Sequence, residues 1–328
     1  MPHRIKPFVV FLIITIFTAG ILSLAPIATA VAQEEEQERP LSDFEALKSS
    51  FEEAYKAGDY TKAIAIGKEM NGIIEPRHWE TLYNIGCAYA KAGEKGKAYE
   101  YLQKAIDANY MYAHGLMTDE DLESLRGENR FKQLVRAAWK NGYVWILERD
   151  ERAEYQQLPR VMETLRLKKG ERVADIGCGT GYFTIPVAKT VGPEGRVLAI
   201  DASQDMLDYL ERRLTAEQLE NVELKKVGRD DPELPAGGIE LILMVDTFHY
   251  IKERTEYGRK LRAGLAPGGR LAVIDFRPKP WEERPWGPPP EQKMSKEELT
   301  VDLEKAGFKL IEDHDFLTEQ FFIVYEAE

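Results

Sequence analysis

The residues best able to do chemistry sit in one short run, Val173-Ala174-Asp175-Ile176-Gly177-Cys178-Gly179-Thr180-Gly181-Tyr182-Phe183. An apolar stretch enters it and a helix-forming stretch leaves it, so it reads as a strand-to-helix turn. Glycines at 177, 179 and 181 allow left-handed backbone and let a ligand come close to the main chain. Spacing narrows the ligand. A dinucleotide turn, G-x-G-x-x-G, needs its third glycine at 182, where this chain has Tyr182. A phosphate loop ending in G-K-[ST] needs a lysine, and none is placed for it. What remains is G-x-G-x-G with Asp175 two residues ahead. Asp175 reads as a ligand contact or as a turn cap. Cys178 reads as a small residue filling the turn rather than as a reactive thiol.

Further polar residues fall at the ends of later apolar stretches. Ala199-Ile200-Asp201 closes the next one, and a carboxylate there can accept both hydrogen bonds of a ribose diol. The other reading of Asp201 is a helix N-cap. Gly228-Arg229-Asp230-Asp231 follows the third stretch, and Asp246-Thr247-Phe248-His249-Tyr250 the fourth. Asp246 and His249 are the candidate proton-transfer groups, or merely polar residues at a strand end. Leu265-Ala266-Pro267-Gly268-Gly269 precedes the fifth.

These landmarks, in this order over about 180 residues, resemble class I S-adenosylmethionine (SAM)-dependent methyltransferases. The resemblance is strongest to the ubiquinone-biosynthesis-type and type 11 branch, and within it to exported bacterial members that share Val-Ala-Asp-Ile-Gly, Val-Asp-Thr-Phe-His and Gly-Pro-Pro-Pro (Gly287 to Pro290). It implies SAM as cofactor, held by Asp175, Gly177, Gly179, Gly181, Asp201 and Asp230. Asp201 would take the ribose, and Asp230 or Asp231 the adenine amino group. The run from Asp246 to Tyr250 would line the methyl site. The implied reaction is in-line methyl transfer to a small-molecule acceptor. Tyr155 is expected to help cover the cofactor. The Arg277 to Pro290 insert, with Trp281 and Trp286, reads as a substrate-side lid or a rigid loop.

The elements that must hold these residues alternate. Strands are expected at 172–176, 196–200, 222–227, 241–245 and 270–275, with helices at 182–190, 204–214 and 253–265. That order predicts an α/β fold, a mostly parallel sheet covered by helices on both faces. Ser295-x-x-Glu298 is a capping box opening a helix to Ala306. Strands at 309–313 and 320–325 predict an antiparallel edge hairpin.

Ahead of this domain, residues 42–140 read as a small all-α unit. Ala54-Tyr55 and Ala88-Tyr89 stand 34 residues apart, and Gly58 and Gly93 stand 35 apart. This resembles the tetratricopeptide repeat, which implies either packing on the catalytic domain or a docking site for a protein partner. Asn71-Gly72 and Pro76 are expected to break the second helix early. Trp139 to Leu147 reads as the link to a domain at 148–328.

Arg4 and Lys6, the apolar run Phe8 to Leu24 and Ala30-Val31-Ala32 read as a signal peptide over 1–32, or an uncleaved membrane anchor. A charged linker follows over 33–41. The expected location is exported, periplasmic or secreted. Cleavage removes Arg4 and Lys6 and takes the net charge from -12 to -14. Such a balance argues against non-specific nucleic-acid binding, which needs a basic surface. Two cysteines in different domains, Cys87 and Cys178, and scattered histidines suggest neither a disulfide framework nor a metal site. SAM is made in the cytoplasm, so export sits awkwardly with the cofactor. The alternative from another class is a non-catalytic adaptor working through the helical repeat; a nucleotide-linked oxidoreductase is the further one.

Overall fold

A computed structural model describes residues 41–73, 78–280, 282–284, 287–289 and 292–328. The expected signal segment and most of the linker lie outside the described residues, as do Pro76, Trp281, Trp286 and Pro290.

Six helices come first: α1 (Leu41–Lys56), α2 (Tyr60–Ile73), α3 (Trp79–Lys91), α4 (Lys95–Asp107), α5 (Ala113–Thr118) and α6 (Asn129–Glu148). The first four form two consecutive hairpins. Their turns are closed by Gly58 (φ 75°) and Gly93 (φ 80°), where a β-carbon would strain the backbone. Small buried residues, Ala54 and Ala63 in one hairpin and Ala88 and Ala98 in the other, let the helices approach closely. Helix α2 does not end early as expected. Asn71 and Gly72 fall in its last turn, where weak helix formers cost little.

Residues 139–147 are not a mere link. They belong to the 20-residue helix α6. Trp139, Tyr143 and Leu147 recur every four residues, which puts them on one face.

Two short helices follow, α7 (Glu151–Gln156) and α8 (Leu158–Leu165). The alternating part then runs β1 (Arg172–Ile176), α9 (Thr184–Val191), β2 (Arg196–Asp201), α10 (Gln204–Ala216), β3 (Val222–Lys226), β4 (Ile239–Val245), α11 (Arg254–Gly264), β5 (Leu265–Phe276), α12 (Lys296–Lys305), β6 (Phe308–His314) and β7 (Gln320–Ala327). Seven strands pair in the order β3-β2-β1-β4-β5-β7-β6. All neighbours are parallel except β5–β7 and β6–β7. This is the expected Rossmann-like methyltransferase sheet with an antiparallel edge. The Pro267-Gly268-Gly269 turn is drawn into β5, whose pairing with β4 shifts register between Ile239 and Leu241.

Alternation along β4 builds two cores. Ile242 and Met244 face the layer containing Leu261, Leu299 and Leu303. Leu241, Leu243 and Val245 face the layer containing Val161, Val187 and Val191. A strand buried on both faces reads as an unbroken apolar run, as Leu241 to Val245 does. The strand order reverses between β1 and β4. A parallel sheet leaves a crevice at the carboxyl ends of its strands at that point.

Candidate active site

The glycine turn occupies that crevice. Gly177 and Cys178 donate their N–H groups to the Ile200 carbonyl at 2.8 and 3.0 Å, fixing the turn to β2. Gly177, Gly179 and Gly181 all have positive φ, at 78°, 52° and 88°. Their neighbours differ. A β-carbon on Gly177 would stand 2.0 Å from Thr247 Oγ1, and one on Gly181 would stand 2.3 Å from Leu210 Cδ1. One on Gly179 would meet Leu147 Cδ1 at 3.1 Å. So Gly181 serves close packing against α10, while Gly177 and Gly179 expose backbone to the cavity.

That cavity has a volume of about 510 Å³. Its lining includes Gly177, Gly179, Thr180, Asp201, Gly228, Arg229, Asp246, Thr247 and Tyr250. Helix α6 supplies the facing wall through Trp139, Tyr143 and Leu147. The helix is pinned by Arg136–Asp205 at 2.9 Å and by Glu148–Arg213 at 2.7 Å, both reaching α10. Arg213 also donates to the Thr180 carbonyl at 2.9 Å, tying that anchor to the glycine turn. The helical region therefore completes the cavity.

Asp201 ends β2. Its Oδ2 accepts from Gly179 N–H at 2.9 Å and its Oδ1 from Ser203 N–H at 2.8 Å. Burial raises its pKa against these backbone bonds. Each carboxylate oxygen keeps a second lone pair for a ligand hydroxyl. Asp175 lies beneath the turn and not in the cavity wall. It is buried and accepts from Thr184 Oγ1 at 2.5 Å, with its pKa pushed up by burial to about 6. Burial also raises the Cys178 thiol, which suits a filler better than a nucleophile. Asp230 is not brought to the cavity. β3 stops at Lys226, and the loop beyond leaves the cavity after Arg229. The Asp230 side chain is exposed and its carbonyl accepts from Lys260 at 2.9 Å. Asp231 pairs with the same lysine at 3.1 Å. Gly228 and Arg229 line the pocket there instead.

Asp246 caps β4 with φ 51°, a conformation unusual for a residue with a side chain. Its carboxyl accepts from Gln156 Nε2 at 2.8 Å and from Gln320 Nε2. Burial, then the charge of Asp275, push its pKa to about 7. His249 lies three residues on and does not line the cavity itself. Its Nδ1 is 2.7 Å from Asp275 Oδ1, and its backbone N–H donates to Asp275 Oδ2 at 3.0 Å. Burial lowers the imidazole pKa, but the charge and hydrogen bond of Asp275, with the charge of Asp246, outweigh it and the net shift is upward. Tyr155, expected as a cofactor cover, packs behind the wall with its ring 6.1 Å from Phe276.

Asp275, Gln156 and Gln320 carry no local motif that marks them in the sequence. Gln320 pairs with Phe276 across β5–β7, which carries it to the end of β4. Only that pairing brings it near Asp246, 74 residues away.

Asp175 and Asp246 give a stability prediction. Both folded pKa values lie above the unfolded ones, so the folded chain holds these protons more firmly. Their contribution is complete below about pH 4 and is lost as pH rises through about 6 and about 7. Asp246→Asn should flatten the fall in Tm between pH 5 and 7.5. The new NH₂ group meets an acceptor once the Gln320 amide turns over to present its Oε1, which has no partner among the described residues, in place of its Nε2. An unchanged slope in thermal melts across that range would refute the assignment.

Comparisons with known proteins agree with this geometry. Residues 174–271 match a family model described as a methyltransferase domain. Residues 52–142 match one described as an A/B hydrolase-like N-terminal domain, not a tetratricopeptide repeat. A SAM-dependent methyltransferase from Aquifex aeolicus superposes with a TM-score of 0.53 at 29% identity, covering 56% of this chain and 97% of that one. Fold, turn and these similarities define the C-terminal half as a class I SAM-dependent methyltransferase domain, with SAM as its cofactor. Within that class, the demethylmenaquinone methyltransferase of Listeria monocytogenes is 32% identical over 114 residues, 35% of this chain and 48% of that protein. The one from Geobacillus stearothermophilus is 42% identical over 64 residues, 20% of this chain and 27% of that protein. The chain spans about half the length or less of these curated relatives.

The residues fit the cofactor. The turn offers bare backbone, Asp201 has two spare acceptor positions, and buried Thr180 Oγ1 on the cavity wall has no partner among the described residues.

Proposed function

We propose that the chain transfers the methyl group of SAM to a small-molecule acceptor inside the cavity beneath α6. The observation that carries this reading is the Gly177–Gly179 turn with Asp201 bonded across it, open to a cavity of about 510 Å³. SAM supplies an electrophilic methyl group on a sulfonium. The chain's own work is then mostly placement. Gly177 and Gly179 let the ligand reach the main chain, and Asp201 accepts the ribose hydroxyls. Trp139, Tyr143 and Leu147 close the facing wall and exclude water. Asp246 stands on the acceptor side, with His249 packed behind the wall. Holding two reactants in line can contribute on the order of 7–11 kcal/mol to the rate. The helical region is proposed to act as a roof for this cavity. Residues 1–32 are proposed to direct export, from their basic start, apolar run and Ala30-Val31-Ala32 ending.

Binding tests the reading directly. SAM, and its demethylated product, at a hundred times their dissociation constants should stabilise the folded chain by about 2.7 kcal/mol. NAD should not. A folded sample whose melting is indifferent to SAM would reject the proposal.

A further inference from the structure

We propose that the stacked rings of Trp139 and Tyr143 on α6 recognise the positive sulfonium of SAM, so that the helical region tells the charged cofactor from its neutral product. This rests on the SAM reading above and adds to it the residues that read the charge.

Placement carries the inference. Trp139 and Tyr143 both line the cavity, about one helical turn apart on α6. Their rings stack with centres 5.1 Å apart and planes 14° apart. Both residues lie ahead of the stretch 174–271 that matches the methyltransferase domain. The ion pairs Arg136–Asp205 and Glu148–Arg213 hold the helix, and with it the ring pair, against α10. Tyr143 stands over the middle of the cavity. Burial raises the pKa of its hydroxyl, and Tyr250, Asp201 and Asp246 raise it further, with Arg152 opposing them. One side chain therefore lies close to the ends of β2 and β4 and to the run beyond β4. Asp201 marks the ribose and Asp246 the acceptor side. The sulfonium must lie between the two, because its methyl group is what passes from one side to the other. Tyr143 is the wall residue over that interval.

A cation within about 6 Å of an aromatic ring centre is attracted by the negative face of the ring, and more strongly where water is excluded. The other groups around this interval are committed elsewhere. Asp201 accepts from the N–H groups of Gly179 and Ser203. The Asp246 carboxyl accepts from Gln156 and Gln320, and burial holds its pKa near 7, so much of it is neutral there. Arg152 repels a second cation, and it is turned onto the Tyr182 ring at 4.2 Å. Tyr250 already has the Arg229 guanidinium 5.9 Å from its ring centre. Among the described residues, no cation stands over Trp139 or Tyr143. Methyl transfer leaves the sulfur neutral, and the attraction to the ring pair goes with the charge. The spent thioether is then held less firmly than the SAM that replaces it.

Calorimetric titration of the full chain with SAM and with its demethylated product tests this, read as the change in the ratio of their dissociation constants. Tyr143→Leu should weaken SAM by roughly tenfold and the thioether by less than about twofold. Tyr143→Phe keeps the ring and should keep the wild-type ratio. Trp139→Leu alters a side chain that is 50% exposed, so it should fold as wild type does. It should move the ratio in the same direction by roughly threefold. A SAM analogue with an ammonium group in place of the sulfonium should lose affinity in both leucine variants as SAM does. Equal losses for SAM and thioether would mean that the rings merely fill space, and would overturn the proposal. A Tyr143→Phe variant that behaves like Tyr143→Leu overturns it too, because the hydroxyl and not the ring would then carry the effect. If Tyr143→Leu does not fold, the ratio in Trp139→Leu decides. Wild type that binds neither ligand is a separate result, which removes the SAM reading and this inference together.

Discussion

Gly177→Ala should cost most of the SAM affinity and about 10 °C of melting temperature. The residue has φ 78°, and an added β-carbon would lie 2.0 Å from Thr247 Oγ1 and 2.9 Å from Thr247 Cβ. Thr247 cannot easily swing away, because its hydroxyl donates to the Val245 carbonyl at 2.8 Å. A left-handed residue with a β-carbon costs roughly 1–2 kcal/mol, and overpacking costs about 1–3 kcal/mol more. At roughly 2–4 °C per kcal/mol for a domain of this size, a loss near 10 °C follows. Whichever side yields, the cavity changes. Either the turn lifts into the space meant for the ligand, or Thr247 is pushed from the wall. Gly170→Ala separates strain from collision. Gly170 has φ 80° but open space around its missing β-carbon. Its alanine variant should melt slightly lower and bind SAM as wild type does. Calorimetric titration of SAM into both variants checks this, and full affinity in the Gly177 variant would mean that the bend is not the cofactor's seat.

The contrast between these glycines reflects what a sequence can carry. The turn at 177–181 was legible because its requirement is local: a strand, a reversal and a helix within a dozen residues, each announced by residue type. β4 was legible for the same reason, since burial on both faces leaves an apolar run. Asp201 was legible because it ends such a run. The acceptor side was only half legible. Asp246 and His249 follow β4 directly, but Asp275, Gln156 and Gln320 reach them through β5, α7 and β7. No local pattern announces a partner that only sheet pairing supplies. Asp230 failed for a related reason. Its loop is steered by Lys260, which holds both the Asp230 carbonyl and the Asp231 carboxylate. The wall formed by α6 did leave a signal in the four-residue spacing of Trp139, Tyr143 and Leu147. That spacing fixes a helical face without saying what the face covers.

Asp201→Ala should weaken SAM and its demethylated product by the same factor, on the order of 100-fold or more. Hydrogen bonds to a charged acceptor contribute roughly 1.5–3 kcal/mol each, and a ribose diol would make two. The ribose is common to both ligands, so a diol contact cannot distinguish them. An acid acting through its charge would behave otherwise. It would favour the sulfonium, and its loss would weaken SAM far more than the neutral thioether. Asp201 also has an internal task, since its oxygens hold Gly179 N–H at 2.9 Å and Ser203 N–H at 2.8 Å. Asp201→Asn should therefore disturb the unliganded fold more than its isosteric shape suggests. One amide oxygen can satisfy only one of those donors in place, leaving an NH₂ group facing the other. A buried mismatch of that kind costs about 1–3 kcal/mol. Calorimetry with both ligands on the alanine variant, beside thermal melts of the two unliganded variants, separates these tasks. Equal losses of affinity identify a diol acceptor. A loss confined to SAM would instead assign Asp201 to the sulfonium charge and leave the ribose to other groups.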